Sequence, residues 1–137
     1  MRAERRGRPF DRVSGRTAPC TGPRFEARVQ GGTAQDIVVY CLDELALTLG
    51  MLRQADMRGN RAGRSDAITR GIAILTALEM GVDRDNELSS SLLHFYEGSR
   101  RLLLGSIAQT QVEAIEAMRN DVIEIRDALK IARVAVN

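Results

Sequence analysis

Apolar residues recur at steps of three and four along most of the chain beyond residue 33. The clearest run comes last. Ile115, Met118, Val122, Ile125, Leu129, Ala132 and Val136 form one unbroken stripe, the spacing of a single face of a long helix. Glu113, Glu116, Arg119, Asp121, Glu124, Arg126, Asp127, Lys130 and Arg133 fill most of the other positions, with no Gly or Pro among them. An amphipathic stripe gains its stability by packing. This helix therefore needs partners, from its own chain or from another.

Three further helices precede it. Val38, Leu42, Leu45, Leu49 and Leu52 mark the first, which the pattern places from Thr33, with Asp36 as a capping partner, to about Arg58; Gly59-Asn60 reads as its stop. Ile68, Ile72, Leu75 and Leu78 mark a second over roughly 61–80, closed by Gly81. Ser65 is a possible later cap. Leu88, Leu92, Phe95, Ser99 and Leu102 mark a third over about 87–106, with Asn86 as N-cap. Thr110 opens the fourth, which reaches nearly to the last residue. No alternation is long enough for a strand. Four helices on short connections predict an all-α fold, an antiparallel four-helix bundle.

Residues 1–32 differ. They hold all three prolines, five glycines and no apolar periodicity, which predicts a flexible segment. Eight Arg stand against Glu4, Asp11 and Glu26 in residues 1–28, a net +5, and the rest of the chain carries −3. The organisation read from this is a basic N-terminal segment, 1–32, and a helical domain, 33–137. A basic tail can touch nucleic acid or anionic lipid, or be a solvated leader. Aromatic residues make up only 4% and Trp is absent, so the core is aliphatic. No apolar run reaches ~18 residues, which speaks against a membrane span, and no secretory signal is visible. Cys20 and Cys41 sit in dissimilar settings and do not read as a disulfide pair, which fits a reducing compartment.

Chemistry is sparse. His94 is the single histidine. It precedes Glu97 by three, the reverse of the Glu-x-x-His order of di-iron bundles, and no Cys/His cluster suits zinc. The glycines at 59, 63, 71 and 81 are not spaced as a phosphate loop. Asp83, Asp85 and Glu87 lack the length, central Gly and final Glu of a calcium loop. The expectation is no enzyme, no cofactor and no metal site.

The ordered set of residues from 33 to about 106 resembles the FliS family of flagellar export chaperones. Thr-Ala-Gln-Asp-Ile at 33–37 is similar to the family's opening Thr-Ala-Ser-Pro before an apolar helix. Asp43-Glu44-Leu45 falls at its apolar-Tyr-Asp step, with Leu42 in place of the helix-one Tyr. Ala55 to Gly59-Asn60, then Ala67-Ile68 and Gly71-Ile72-Ala73-Ile74-Leu75, follow its first helix end and second helix. Glu87-Leu88, Leu92, Phe95 and Arg100-Arg101-Leu102 follow its third, although Tyr96-Glu97-Gly98 departs from its Tyr-Asp-Tyr-Met.

The resemblance implies a cytoplasmic export chaperone without enzymatic activity. It would bind the disordered C-terminal region of flagellin, prevent premature polymerisation, and aid secretion by the flagellar type III apparatus. The client would fold into helices along an apolar groove. The expected groove draws on Ile68, Ile72 and Leu75 of helix two, Phe95 and Leu102 of helix three, and Ile115, Met118, Val122 and Ile125 of helix four; each also fits a core position. Arg100 and Arg101 are candidates for client carboxylates. Helix one is apolar around well over half its circumference, more than a bundle core requires. Phe10, Val13 and Phe25 could anchor the N-terminal segment over the groove when no client is bound, as that segment can do in the family. The alternative is a helical adaptor that dimerises through helix four and meets nucleic acid through its basic tail. It ranks lower: no helix-turn-helix spacing is present, and the basic residues have almost no aromatic companions. A homodimer is a further option within the chaperone reading.

Overall fold

The computed structural model describes residues 34–136, with side chains placed to residue 132. The basic segment 1–32, its three apolar anchors, Cys20 and the expected cap at Thr33 lie outside the described residues. Four helices follow in order: α1 Ala34–Met57, α2 Arg61–Met80, α3 Ser89–Gly105 and α4 Val112–Val136. Among the described residues there is no strand. The chain folds as an all-α helical bundle.

The α1–α2 turn is set by two residues. Gly59 adopts φ +67°, a left-handed conformation that glycine reaches without a Cβ clash. The Asn60 N–H then donates to the Ala55 carbonyl at 2.8 Å and the Gly59 N–H to Asp56 at 3.2 Å, the paired bonds of a Schellman stop. Asn60 also starts the next helix, accepting from the Gly63 N–H at 3.0 Å. A Cβ on Gly63 would lie 2.7 Å from the Asn60 side chain, so the absence of a side chain there leaves room for the cap.

The other two boundaries differ from the sequence pattern. Asn86 does not cap α3. Its side chain accepts from the Leu88 N–H at 2.7 Å, closing a local turn two residues on, and the helix begins at Ser89. Thr110 does not open α4 either. Its hydroxyl is buried without a hydrogen-bond partner, and the first turn closes by the Ile115 N–H donating to the Gln111 carbonyl at 2.9 Å.

α1 is the spine. It packs broadly against both α2 and α4, α2 carries α3, and α3 meets α4 only thinly. Leu42, Leu45, Leu49 and Leu52 of α1 are sealed from solvent together with Ile74, Leu75, Tyr96, Leu103, Ile115 and Val122. α2 and α3 approach closely at Gly71, where an added Cβ would fall 2.7 Å from a Leu103 methyl. Ion pairs tie the α1–α4 seam in antiparallel register: Arg53 to Glu116 at 2.6 Å near one end, Arg126 to Asp43 at 3.0 Å further along. Pairs this exposed contribute about 0–1 kcal/mol each and serve mainly to fix alignment.

One substitution at two glycines should give opposite signs. Gly59→Ala forces a Cβ into the left-handed region and should destabilise the fold by about 1 kcal/mol. Gly98 lies inside α3, and nothing is within 4 Å of an added Cβ. Gly98→Ala should stabilise by about 0.5–1 kcal/mol through helix propensity. Urea unfolding followed by circular dichroism measures both.

Candidate functional site

Because α3 hangs from α2 and scarcely touches α4, the bundle does not close on that side. A cleft of about 510 Å³ opens there, at the end where α1 and α3 begin and α4 finishes. Val38 comes from α1, Leu78 and Val82 from the end of α2 and the following loop, Leu88, Leu92 and Tyr96 from the approach to α3 and its first turns, and Ile125 and Leu129 from α4. The lining is mostly aliphatic; Gln35, Asp83, Asn86 and Ser89 bring polar atoms to it.

Local hydrogen bonds hold these walls. The Gln35 side-chain amide donates to the Leu129 carbonyl at 2.8 Å, tying the start of α1 to α4. In the loop, Asp83 accepts from the Asp85 N–H at 3.0 Å, and Asn86 turns the chain at Leu88. That turn leaves Leu88 62% exposed at the cleft. An apolar side chain held outward by two consecutive side-chain-closed turns is a built feature of the rim.

Tyr96 lies at the back of the cleft, 2% exposed, its ring centroid 5.9 Å from that of Phe95 and tilted by 58°. Burial pushes its phenol up to about 12, with the nearby Cys41 thiol adding to the shift. It therefore stays neutral over the whole working range and acts as apolar surface with a polar tip. Cys41 is buried. His94 faces solvent. Among the described residues no group of three or more His, Cys, Asp or Glu could hold a metal, and no helix is long and apolar enough to cross a membrane.

The nine residues expected to form a groove divide in two. Ile68, Leu75, Ile115, Met118 and Val122 are buried, each at most 4% exposed. Ile72, Phe95, Leu102 and Ile125 are half-buried and pack against that core. Ile125 alone of the nine lines the cleft. Phe95 and Leu102 lie seven residues apart on one line of α3, on the flank away from Arg100, which pairs with Glu79 of α2. Arg101 is exposed and lies 3.6 Å from Glu97 of its own helix. Val38, Leu78, Val82 and Leu129 were absent from the sequence-derived groove. Val38, Leu78 and Leu129 come from the ends of three helices, where the only signal was an apolar stripe that fits a core equally well; Val82 lies in a connection that reads as polar.

The cleft is thus an apolar surface at one end of a helical bundle. A protein-family model described as "Flagellar protein FliS" matches residues 21–135. The chain belongs to the FliS family. Family membership gives it a general role as a flagellar export chaperone, in a family of chaperones and not of enzymes. A search of curated proteins found no significant match.

The Tyr96 phenol makes this FliS-family fold sensitive to alkali in a definite direction. A group whose neutral form is favoured in the fold stabilises it fully below the unfolded pKa, near 10, and loses that contribution as pH rises toward about 12. Between those limits the wild type should lose about 1–2 kcal/mol more stability than Tyr96→Phe. Parallel denaturant titrations at pH 9 to 12 compare them; equal losses would remove the role of burial at Tyr96.

Proposed function

We propose that this FliS-family chain is a cytoplasmic export chaperone for the C-terminal region of flagellin, and that the client lies along the open side between α3 and α4. The observation that carries the reading is the unclosed seam: a mostly aliphatic cleft with Leu88 held out at its rim, in a member of a flagellar export chaperone family. A client helix laid there would place apolar anchors at i, i+3, i+4 and i+7 against Leu88, Leu92, Ile125 and Leu129. Ordering a disordered segment costs free energy, which apolar burial offsets. The held segment is then withdrawn from polymerisation and available for secretion.

The thin α3–α4 contact gives a use for five of the remaining groove candidates. If α3 swings outward on α2, the line of Phe95 and Leu102 parts from α4, and Ile115, Met118 and Val122 become the floor of a longer furrow. Met118 suits such a floor because its side chain adapts. The N-terminal segment is proposed to cover the same site in the absence of client, through Phe10, Val13 and Phe25. Ala34 and Gln35 line the cleft, so the segment joins the domain at its edge.

Calorimetry with the purified C-terminal segment of the host flagellin should give saturable micromolar binding to the full chain. Leu88→Glu changes an exposed side chain, should leave the fold intact, and should weaken binding about tenfold, roughly the effect of losing one apolar anchor. Deleting residues 1–32 should raise affinity. No heat of binding at micromolar concentration would end the chaperone assignment for flagellin; unchanged affinity in the truncated protein would end the covering role of the segment alone.

A further inference from the structure

The apolar surplus of α1 is not used by the cleft. Leu47 is 61% exposed and Met51 50%, and one turn separates them on the outward face of the helix. They lie in a shallow furrow of about 520 Å³, formed by the outer face of α1 with Arg119 of α4 and the first turn of α2. Its floor is flat because Ala46 and Gly50 supply little side chain. A second depression of about 380 Å³ shares Ala46, Leu47 and Arg119 and extends toward Tyr40 and Asp43 along the α1–α4 seam. From Tyr40 to Met57 the helix runs about 26 Å at ~1.5 Å per residue, room for a partner helix of about 17 residues. None of the lining residues of the larger furrow lines the α3–α4 cleft.

Charge identifies the occupant. Among the described residues, Arg58 and Arg119 are the charged side chains lining the larger furrow, and no carboxylate lines it; Asp43 and Glu44 line only the smaller depression, with Arg119 and Arg126, and Asp43 is paired with Arg126. Arg119 donates through Nε to the Ala46 carbonyl at 3.2 Å; among the described residues neither it nor Arg58 has a carboxylate partner, whereas Arg53 and Arg64 are paired with Glu116 and Asp56. Two unpaired guanidinium groups beside exposed Leu and Met favour apolar contact with negative charge alongside. We propose that the outer face of α1 is a second docking surface. It takes an amphipathic helix of another protein that carries leucine-type anchors on one face and Asp or Glu on its flank, its acidic turn over Arg58 and Arg119. A chaperone with this surface can hold a client on one side and an acidic helical partner on the other. A second copy of the chain, with the same Arg-lined face, would bring like charges together across an isologous contact.

The test uses the full chain and two synthetic probes of about 17 residues, leucine at i, i+3, i+4 and i+7, with either glutamate or lysine at the flanking positions. Fluorescence anisotropy should show saturable binding of the glutamate probe, with the lysine probe at least about tenfold weaker. Leu47→Ser with Met51→Ser removes exposed side chains, so the fold should persist, and should cost the glutamate probe about tenfold; Arg58→Glu should shift preference toward the lysine probe. A saturating flagellin C-terminal segment should not displace it. Equal binding of both probes, binding of neither, or insensitivity to the Leu47/Met51 variant overturns the proposal. So does competition by the flagellin segment, loss of a dimer in sedimentation on changing Leu47 and Met51, or binding that appears only after residues 1–32 are removed. The last two would assign the face to a second copy or to the chain's own N-terminal segment.

Discussion

The packing of α1 between α2 and α4 is the constraint on which the other features depend. A helix with two broad neighbours must bury more than half its circumference, and α1 does so with Leu42, Leu45, Leu49 and Leu52 at its centre. Once α1 takes both flanking positions, α3 is left with α2 as its main support. Three seams are closed and the fourth is thin. The cleft is therefore a result of how apolar surface is shared among four rods of similar length, and no inserted loop is needed to make it. α1 carries most of the sealed core, and α3 is divided, with Tyr96 and Leu103 in the core and Leu92 on the cleft.

The polar details serve that division. Guanidinium groups join elements where the fold must keep register: Arg126 to Asp43, Arg100 to Glu79, and Arg64 to the Ile107 carbonyl at the end of α3. Each is at or near the surface, where the net contribution is small but misalignment would cost the apolar contacts beneath. In the 81–88 loop, polar side chains close turns on the backbone in place of a longer helix. The loop thus presents Leu88 outward at the cleft, where a continued helix would have turned it along with its neighbours.

Much of this was legible in the chain. The four stripes locate four helices, and Gly59-Asn60 gives both the end of α1 and the start of α2, because one residue needs a left-handed φ and the next an amide acceptor. The start of α3 was less legible, since Asn86 suits an N-cap and a local turn equally, and only the positions of the Leu88 and Ser89 amides decide between them. Periodicity also reports which face of a helix is apolar without reporting what covers it. For that reason Ile68, Leu75, Ile115, Met118 and Val122 read as groove and core alike, and their burial depends on neighbours remote in sequence. The cleft residues Val38, Val82 and Leu129 are still harder to see, since they meet only when the ends of three helices and a loop converge. The surplus on α1 was visible as a stripe too wide for a core; Leu47 is the member of that stripe that faces out, and Met51, which was not read as part of it, stands beside it one turn on.

A thin α3–α4 seam also constrains how an export chaperone of this family could let go of what it holds. Apolar burial scales with the area removed from water, at about 25 cal/mol per Å², so a fully enclosing groove would bind strongly and release slowly. An open cleft limits the area a client can bury at any one moment, and the proposed outward swing of α3 would let that area change. Hold and release then become two positions of one helix on a fixed support. The free-energy difference between them needs to be only a few kcal/mol for a binding partner elsewhere on the surface to tip it. The sealed leucines of α1 are what would support such a change, because α1 keeps its broad packing on α2 and α4 while the thin α3–α4 contact is the one that opens.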